Sequence, residues 1–257
     1  MNRTARHPGR LAFTVIVVAL AALLLPYLIA PLYRFIMPVS MPMLYRWATG
    51  ARVERTVVPL TSIAPALPLA VIVAEDGSFC HNRGIDLGAM REALRHDESP
   101  TLPSPASGGG TINDSSPARG GGKGGGLRGA STITQQTAKN LFLWQGRSFV
   151  RKALEIPLAL WINLVLPKRR VLEIYLNIVE WGPDGEFGAE AAARYAFGTS
   201  ARELTARQAA ELAAILPNPF RRSARAPSAL VRRLAGIYER RAADHPGHGA
   251  CIRDGTP

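Results

Sequence analysis

The sequence predicts a mainly α-helical protein with one N-terminal transmembrane helix. In the second half of the chain, apolar residues recur every three or four positions, which is the spacing of amphipathic helices. Strands and helices do not alternate along the chain, which argues against a Rossmann-type sheet. With 257 residues, 47% of them apolar, the chain can form one medium-sized domain with a core. Disordered and fibrous classes are therefore excluded.

The transmembrane helix is predicted over residues 11–30, which carry no charge. At about 1.5 Å per residue, this stretch spans the roughly 30 Å hydrocarbon core of a bilayer. A cleaved signal peptide and a buried core helix are the alternatives, but no cleavage site followed by a polar mature start comes after Ala22. Arg3, Arg6 and Arg10 precede the helix, so we expect a single-pass anchor with a cytoplasmic N-terminus and the rest of the chain on the outer side of the membrane.

The net charge of the chain points to an anionic partner. Its 31 basic and 19 acidic residues give a net charge of +12 and a pI near 10.6. On the outer side of a membrane a lipid-linked phosphate is favoured, and no nucleic acid is expected. The two cysteines, Cys80 and Cys251, lack the spacing of a zinc site. Whether they form one disulfide is open at this stage.

The chain is divided here into five parts: a cytoplasmic tail (1–10), the anchor (11–30), a membrane-proximal segment (31–51), a catalytic domain (52–245) and a C-terminal tail (246–257). The membrane-proximal segment is rich in Met and aromatic residues but is interrupted by prolines, so we expect it at the membrane interface. Residues 52–68 are predicted to be extended. Residues 97–128 are predicted to be a flexible insertion because Gly, Ser and Pro dominate them. The predicted helices are 132–143, 149–166, 168–179, 189–197, 205–216 and 228–243.

A first candidate site is the acidic pair Glu75 and Asp76, which follows an apolar run directly. Burial raises the pKa of a carboxylate in such a place, which suits proton transfer near neutral pH. A helix cap or a solvated turn is the alternative interpretation. Phe79 follows at once in the same loop.

A second candidate begins at residue 129 and reads GASTITQQTAKNLF. On a helix, Thr132, Gln136 and Lys139 share one face, where they could bind sugar hydroxyls or phosphate oxygens. Ser131 and Thr132 lie near the helix start, which favours an anion there. A simple solvated helix face is the alternative.

A third candidate lies in the apolar helix predicted from residue 149, where Arg151, Lys152 and Glu155 stand together. Because a helix this apolar is buried, we expect its carboxylate either to be paired with cations or to take part in the function. A structural Arg–Glu pair is one interpretation. The functional one places Glu155 opposite Glu75 across a cleft, with the two basic residues binding phosphate.

Taken together, these motifs resemble the five ordered sequence blocks of the monofunctional peptidoglycan glycosyltransferases, over residues 52–221. The blocks are Glu75-Asp76 with Phe79; GASTITQQ at 129–136 with Lys139 and Asn140; Arg151-Lys152 with Glu155; Leu172-Glu173 with Tyr175, Leu176 and Asn177; and LAAILPNP at 212–219. The resemblance implies a lysozyme-like, two-lobed glycosyltransferase domain with a cleft close to the membrane. Together with the anchor, it implies a single-pass protein of the inner membrane whose catalytic domain is periplasmic.

The resemblance also implies a substrate and a mechanism. The substrate is lipid II, and the growing glycan is transferred from polyprenyl pyrophosphate to the 4-hydroxyl of lipid II with inversion. Glu75 is the general base, and Glu155 is the second catalytic carboxylate, which positions the donor or a divalent ion such as Mg or Mn. No organic cofactor is implied, and the expected partners are the membrane and division or wall-synthesis proteins. The implied substrate-binding residues are Asp76, Phe79, Ser131, Thr132, Gln135, Gln136, Lys139, Asn140, Arg151 and Lys152.

The chain departs from the family pattern at Asn82, where the family usually has histidine three residues after the motif phenylalanine. Either a local shift brings His81 into that place, or Asn82 keeps part of the hydrogen bonding and activity is reduced. The other departure is the Gly-rich insertion before Gly129, together with a lengthened turn at 182–187. A lysozyme-like hydrolase or lytic transglycosylase, and a non-catalytic wall-assembly factor, are the rival functions.

The arginines between residues 221 and 241 are expected to face anionic lipid.

Overall fold

The computed structural model describes residues 8–88, 91, 131–146 and 148–253, and these are mainly helical, as predicted. The predicted insertion at 97–128 lies outside the described residues. The α-helices are α1 (Pro8–Ile29), α2 (Met41–Ala48), α3 (Ala66–Glu75), α4 (Ile133–Phe142), α5 (Phe149–Val165), α6 (Lys168–Ile178), α7 (Ala189–Phe197), α8 (Ala206–Ile215) and α9 (Ala229–Asp244). Short 3-10 helices cover Ala30–Arg34, Leu60–Ser62, Ala201–Glu203 and Pro246–Ile252.

The six helices predicted after residue 131 are confirmed, and their ends agree to within one residue. The extended conformation predicted for residues 52–68 is wrong at Leu60–Ser62, which form a 3-10 helix, and from Ala66, where α3 begins. Pro65 and Pro68 suggested an extended chain. Both lie at the helix start, where a missing N–H costs nothing because the first turn has no intrahelical acceptors for it.

The helices pack in two groups that meet at the end of α3. Helix α3 is almost entirely buried and packs against α8 and α9, while α4 packs against α5 and α6. The C-terminus of α3 therefore lies beside the N-terminus of α4. The lysozyme-like, two-lobed arrangement stays a prediction.

A parallel sheet of two strands, each two residues long, joins the start of the domain to the lengthened turn. Strand β1 (Glu54–Arg55) pairs with β2 (Glu186–Phe187), with Glu54 opposite Glu186. Gly185 precedes β2 with φ +91°, and a Cβ there would lie 2.1 Å from the carbonyl oxygen of Arg52. The turn is thus a packed element that requires glycine at this position.

Within the described residues, α1 and the start of the following segment form one helical stretch long and apolar enough to cross a membrane by length and composition. The end of this stretch contacts the domain, because Trp161 Nε1 in α5 donates a hydrogen bond of 2.9 Å to the carbonyl oxygen of Tyr27. In the membrane-proximal segment, Phe35 is 83% exposed and Tyr45 is 70% exposed. These exposed aromatic side chains suit the interfacial position expected from the sequence.

The C-terminal tail is docked on the domain. Its 3-10 helix Pro246–Ile252 packs against α3 and α6, and Cys251 forms a disulfide with Cys80 across a Cα–Cα distance of 5.3 Å. The bridge that the sequence left open is therefore present, and it ties the C-terminus to the loop that follows Glu75.

Candidate active site

Glu75 is the last residue of α3, and its carboxylate faces α4. Gln136 Nε2 donates a hydrogen bond of 2.7 Å to Glu75 Oε2. The hydroxyl of Tyr175 in α6 in turn donates to Gln136 Oε1 at 3.0 Å, which fixes the orientation of the amide. The Glu75 side chain remains partly exposed, so a substrate can reach it.

The surroundings of Glu75 suit a base rather than a permanently charged group. Burial raises the pKa of the Glu75 carboxyl above its ordinary value, while the hydrogen bond from Gln136 and the charges of Lys139 and Arg222 act in the opposite direction. A carboxylate with a raised pKa accepts a proton more readily, and this is what general base catalysis near neutral pH needs.

Asp76 has a different environment, because it is buried and its carboxylate is fully engaged. It accepts hydrogen bonds from the backbone N–H of Ile133 at 3.0 Å, from Asn82 Nδ2 at 3.0 and 3.1 Å, and from Ser78 Oγ at 3.1 Å. Burial raises the pKa of Asp76, and these three donors lower it. Asp76 thereby joins the end of α3 to the first turn of α4, where an anion is favoured.

The start of α4 is fixed by a capping box. Thr132 is the N-cap: its hydroxyl accepts from the N–H of Gln135 at 3.0 Å and donates to the carbonyl oxygen of Gly84 at 2.6 Å. The Gln135 side chain accepts from the N–H of Thr132 at 2.9 Å. The structure therefore separates Thr132 from Gln136 and Lys139, because Thr132 precedes the helix and its hydroxyl has protein partners on both sides.

Glu155 in α5 is buried, with 2% of its surface exposed, and is held by two cations. Arg151 Nη1 lies 2.6 Å from one carboxylate oxygen and Lys152 Nζ lies 2.7 Å from the other. Lys152 Nζ also donates to Ser131 Oγ at 2.7 Å. The structural Arg–Glu pair considered from the sequence is present, and through Lys152 it is connected to Ser131, just before the start of α4.

Lys139 connects the two carboxylates electrostatically. Burial lowers the pKa of its ammonium, while Glu155 and Glu75 raise it and Arg151 and Lys152 lower it. The charge of Lys139 therefore interacts both with Glu155 and its cations and with Glu75, the candidate base. Lys139 therefore links Glu75 electrostatically to the cluster of Arg151, Lys152 and Glu155.

The predicted site residues fall into two sets by exposure. The partly exposed ones, which a ligand can touch, are Glu75, Ser131, Gln136, Lys139, Arg151 and Lys152. The buried ones are Asp76, Phe79, Thr132, Gln135, Asn140 and Glu155.

The donor set at Glu155 does not fit a divalent ion. Both of its oxygens are occupied by cationic groups, which would repel a metal. Across residues 8–88, 91, 131–146 and 148–253 there is also no group of three His, Cys, Asp or Glu side chains that could hold one. The divalent ion implied by the resemblance stays a prediction and enters no step below.

Three residues near the site were missed from the sequence: Lys168, Arg222 and the hydroxyl of Tyr175. Arg222 was expected to face lipid, but its charge acts on Glu75 and its Nη1 donates to the carbonyl oxygen of Ala214 at 2.9 Å. Its place three residues after the end of the LAAILPNP block was the signal available. At Asn82 no local shift occurs, because His81 is exposed and Asn82 itself bonds Asp76.

Comparison with known proteins identifies the family of this chain. The chain matches the transglycosylase family over residues 43–115 and 118–241. It is 55% identical over 239 residues to a biosynthetic peptidoglycan transglycosylase of Rhodopseudomonas palustris strain TIE-1, covering 93% of this chain and 91% of the relative. Proteins of the same name from Nitrobacter hamburgensis (53%, covering 91% and 93%) and Agrobacterium fabrum (44%, covering 95% and 98%) are similar as well. The chain therefore belongs to the transglycosylase family and is a glycosyltransferase.

Proposed function

We propose that this protein polymerises peptidoglycan glycan strands from lipid II at the outer face of the inner membrane. The observation that carries the proposal is the partly exposed carboxylate of Glu75, which accepts a hydrogen bond from Gln136 and interacts with the charge of Lys139. Lys139 interacts in turn with Arg151 and Lys152, the two cations that hold Glu155. A base beside a cluster of cations suits a reaction in which an alcohol attacks and a pyrophosphate departs.

In this mechanism Glu75 accepts the proton of the 4-hydroxyl of the acceptor sugar. The oxygen attacks the anomeric carbon of the growing chain from the face opposite the pyrophosphate, so the configuration inverts and a β-1,4 link forms. The bond from that carbon to the pyrophosphate oxygen breaks, and the electron pair leaves with polyprenyl pyrophosphate. Gln136 holds Glu75 in the orientation that meets the hydroxyl.

The leaving pyrophosphate develops charge in the transition state, and fixed cations stabilise that charge without reorganising. Lys139, Arg151 and Lys152 are the candidates, since all three side chains are partly exposed. Glu155 is buried, so we assign it the role of holding Arg151 and Lys152 in place through its two oxygens. This differs from the donor-positioning role implied by the resemblance.

The membrane anchor and the disulfide support the proposed location. The apolar stretch at α1 meets the length and composition of a span, and its end contacts α5, the helix that carries Arg151 and Glu155. A disulfide between Cys80 and Cys251 suits the oxidising side of the membrane. The arginines before α1 predict a cytoplasmic N-terminus. A fused alkaline phosphatase after residue 253 that stays inactive in cells would contradict this orientation.

The function is tested by incubating the detergent-solubilised protein with labelled lipid II. We expect a ladder of long glycan strands that a muramidase cuts back to disaccharide units. Release of fragments from isolated sacculi, with lipid II left intact, would instead show a lytic enzyme. No turnover of either substrate by folded protein would favour a non-catalytic wall-assembly role.

A further inference from the structure

Lys168 was not singled out from the sequence, yet its side chain reaches the loop that follows Glu75. It is the first residue of α6. Its Nζ donates a hydrogen bond of 2.9 Å to Asn82 Oδ1 and lies 4.7 Å from the centre of the buried Phe79 ring. The ammonium therefore joins α6 to the loop that carries Asp76 and Asn82.

Asn82 connects Lys168 to Asp76, because a side-chain amide has an oxygen that accepts hydrogen bonds and a nitrogen that donates them. Its Oδ1 accepts from Lys168 Nζ and from the backbone N–H of Gly84 at 3.0 Å. Since both of those partners only donate, the Nδ2 group must face the other way. There it donates to both carboxylate oxygens of Asp76, at 3.0 and 3.1 Å.

Asp76 completes the connection to the base. Its Oδ2 also accepts from the N–H of Ile133, the first residue of α4, at 3.0 Å. One turn further along α4, Gln136 donates to Glu75 Oε2 at 2.7 Å. A shift of Asp76 would therefore move α4 relative to α3, and with it the amide that orients Glu75.

We propose that Lys168 is a positioning residue for glycosyl transfer: through Asn82 it holds the Asp76 carboxylate on the first turn of α4 and so sets Gln136 against Glu75. This inference rests on the proposed function. Electrostatics supports it, because the positive charge of Lys168 lowers the pKa of Asp76 and so favours the ionised form that accepts all of these hydrogen bonds. Burial lowers the pKa of Lys168 itself to about 8, and the charge of Asp76 opposes that effect.

The test compares Lys168→Met, Lys168→Arg and, as a matched control for loss of one positive charge, Arg202→Met in the exposed part of the Ala201–Glu203 3-10 helix. For each, kcat and KM are measured with labelled lipid II, and the thermal unfolding midpoint is recorded. We expect Lys168→Met to lower kcat by about ten- to a hundredfold, since a small misplacement of a reacting group costs this much. KM should stay within about twofold because no substrate contact is lost. Lys168→Arg should recover most of kcat, and Arg202→Met should match wild type.

A double variant tests the route through Asn82. In an Asn82→Leu background the connection is already broken, so adding Lys168→Met should lower kcat no further. Fully additive losses would overturn the route. The inference also fails if Lys168→Met has wild-type kcat, or if its activity falls only in step with the folded fraction and arginine restores nothing. Failure of the wild-type protein to polymerise lipid II is a separate result, which refutes the proposed function instead.

Discussion

Replacing Gln136 by leucine is expected to move the acid limb of the kcat/KM profile for lipid II to higher pH. A general base works only when ionised, so activity falls as pH drops through the pKa of Glu75. Burial raises that pKa, and the hydrogen bond from Gln136, which stabilises the charged form, is the largest effect that lowers it. Removing this hydrogen bond therefore raises the pKa, and less of the enzyme is active at a given acidic pH.

The size of the shift follows from the geometry. The Nε2 to Oε2 distance is 2.7 Å, which is typical of a hydrogen bond to a charged group. Such a bond contributes about 1.5–3 kcal/mol, and about 1.36 kcal/mol equals one pKa unit. Because Glu75 is partly exposed, water replaces some of what is lost. We therefore expect a shift of about one unit, at the lower end of that range.

The assay is the initial rate of lipid II polymerisation at low substrate concentration across the pH range. Tyr175→Phe is the matched control: it removes the hydroxyl that orients the Gln136 amide at 3.0 Å but keeps the amide itself. The acid limb of the Tyr175→Phe profile should also move to higher pH, but by less than the acid limb of Gln136→Leu. The reasoning is refuted if the acid limb of Gln136→Leu stays where it is in wild type or moves to lower pH. It is also refuted if the limb moves further in Tyr175→Phe than in Gln136→Leu.

Three further predictions concern stability and membrane attachment. Arg151→Met leaves the buried Glu155 with Lys152 as its one cationic partner in the pair. The free energy of unfolding, measured by denaturant titration in detergent, should therefore fall by about 3 kcal/mol. A loss below about 0.5 kcal/mol would contradict a buried charge cluster. Replacing Cys80 and Cys251 by serine removes a crosslink that spans 171 residues, so it should cost about 2–5 kcal/mol, and a reductant should destabilise wild type but not the variant. Deletion of residues 1–29 should release the protein from liposomes in flotation experiments, and retention of most of it on vesicles would show that α1 is not the main anchor.

The helices were predictable because their signal is local. Each predicted segment after residue 131 buries an apolar face with a spacing of three or four residues, and this spacing is visible in the chain itself. The start of α3 was not predictable in the same way. Prolines after Val57 and Val58 favour an extended chain, and whether Pro65 and Pro68 fit a first helical turn depends on where the helix starts.

The site was only partly predictable, since sequence spacing does not say which polar side chains turn inward. Thr132 looked like a member of the ligand-binding face, but as the N-cap it uses its hydroxyl for the backbone of α4 and for Gly84. The functional interpretation of the sequence places Glu155 opposite Glu75 across a cleft, whereas in the structure two neighbouring cations enclose its carboxylate. Lys168 lies 86 residues from Asn82 along the chain, and only the packing of α6 against the loop brings the two together.

The most direct test of the central claim is the rate of lipid II polymerisation by Glu75→Gln compared with wild type. Glutamine keeps the shape of the side chain but cannot accept the proton, so a folded variant should polymerise about 10²–10⁴-fold more slowly. Circular dichroism and an unchanged unfolding midpoint would establish that the variant is folded. Polymerisation at the wild-type rate by this folded variant would contradict the assignment of Glu75 as the base.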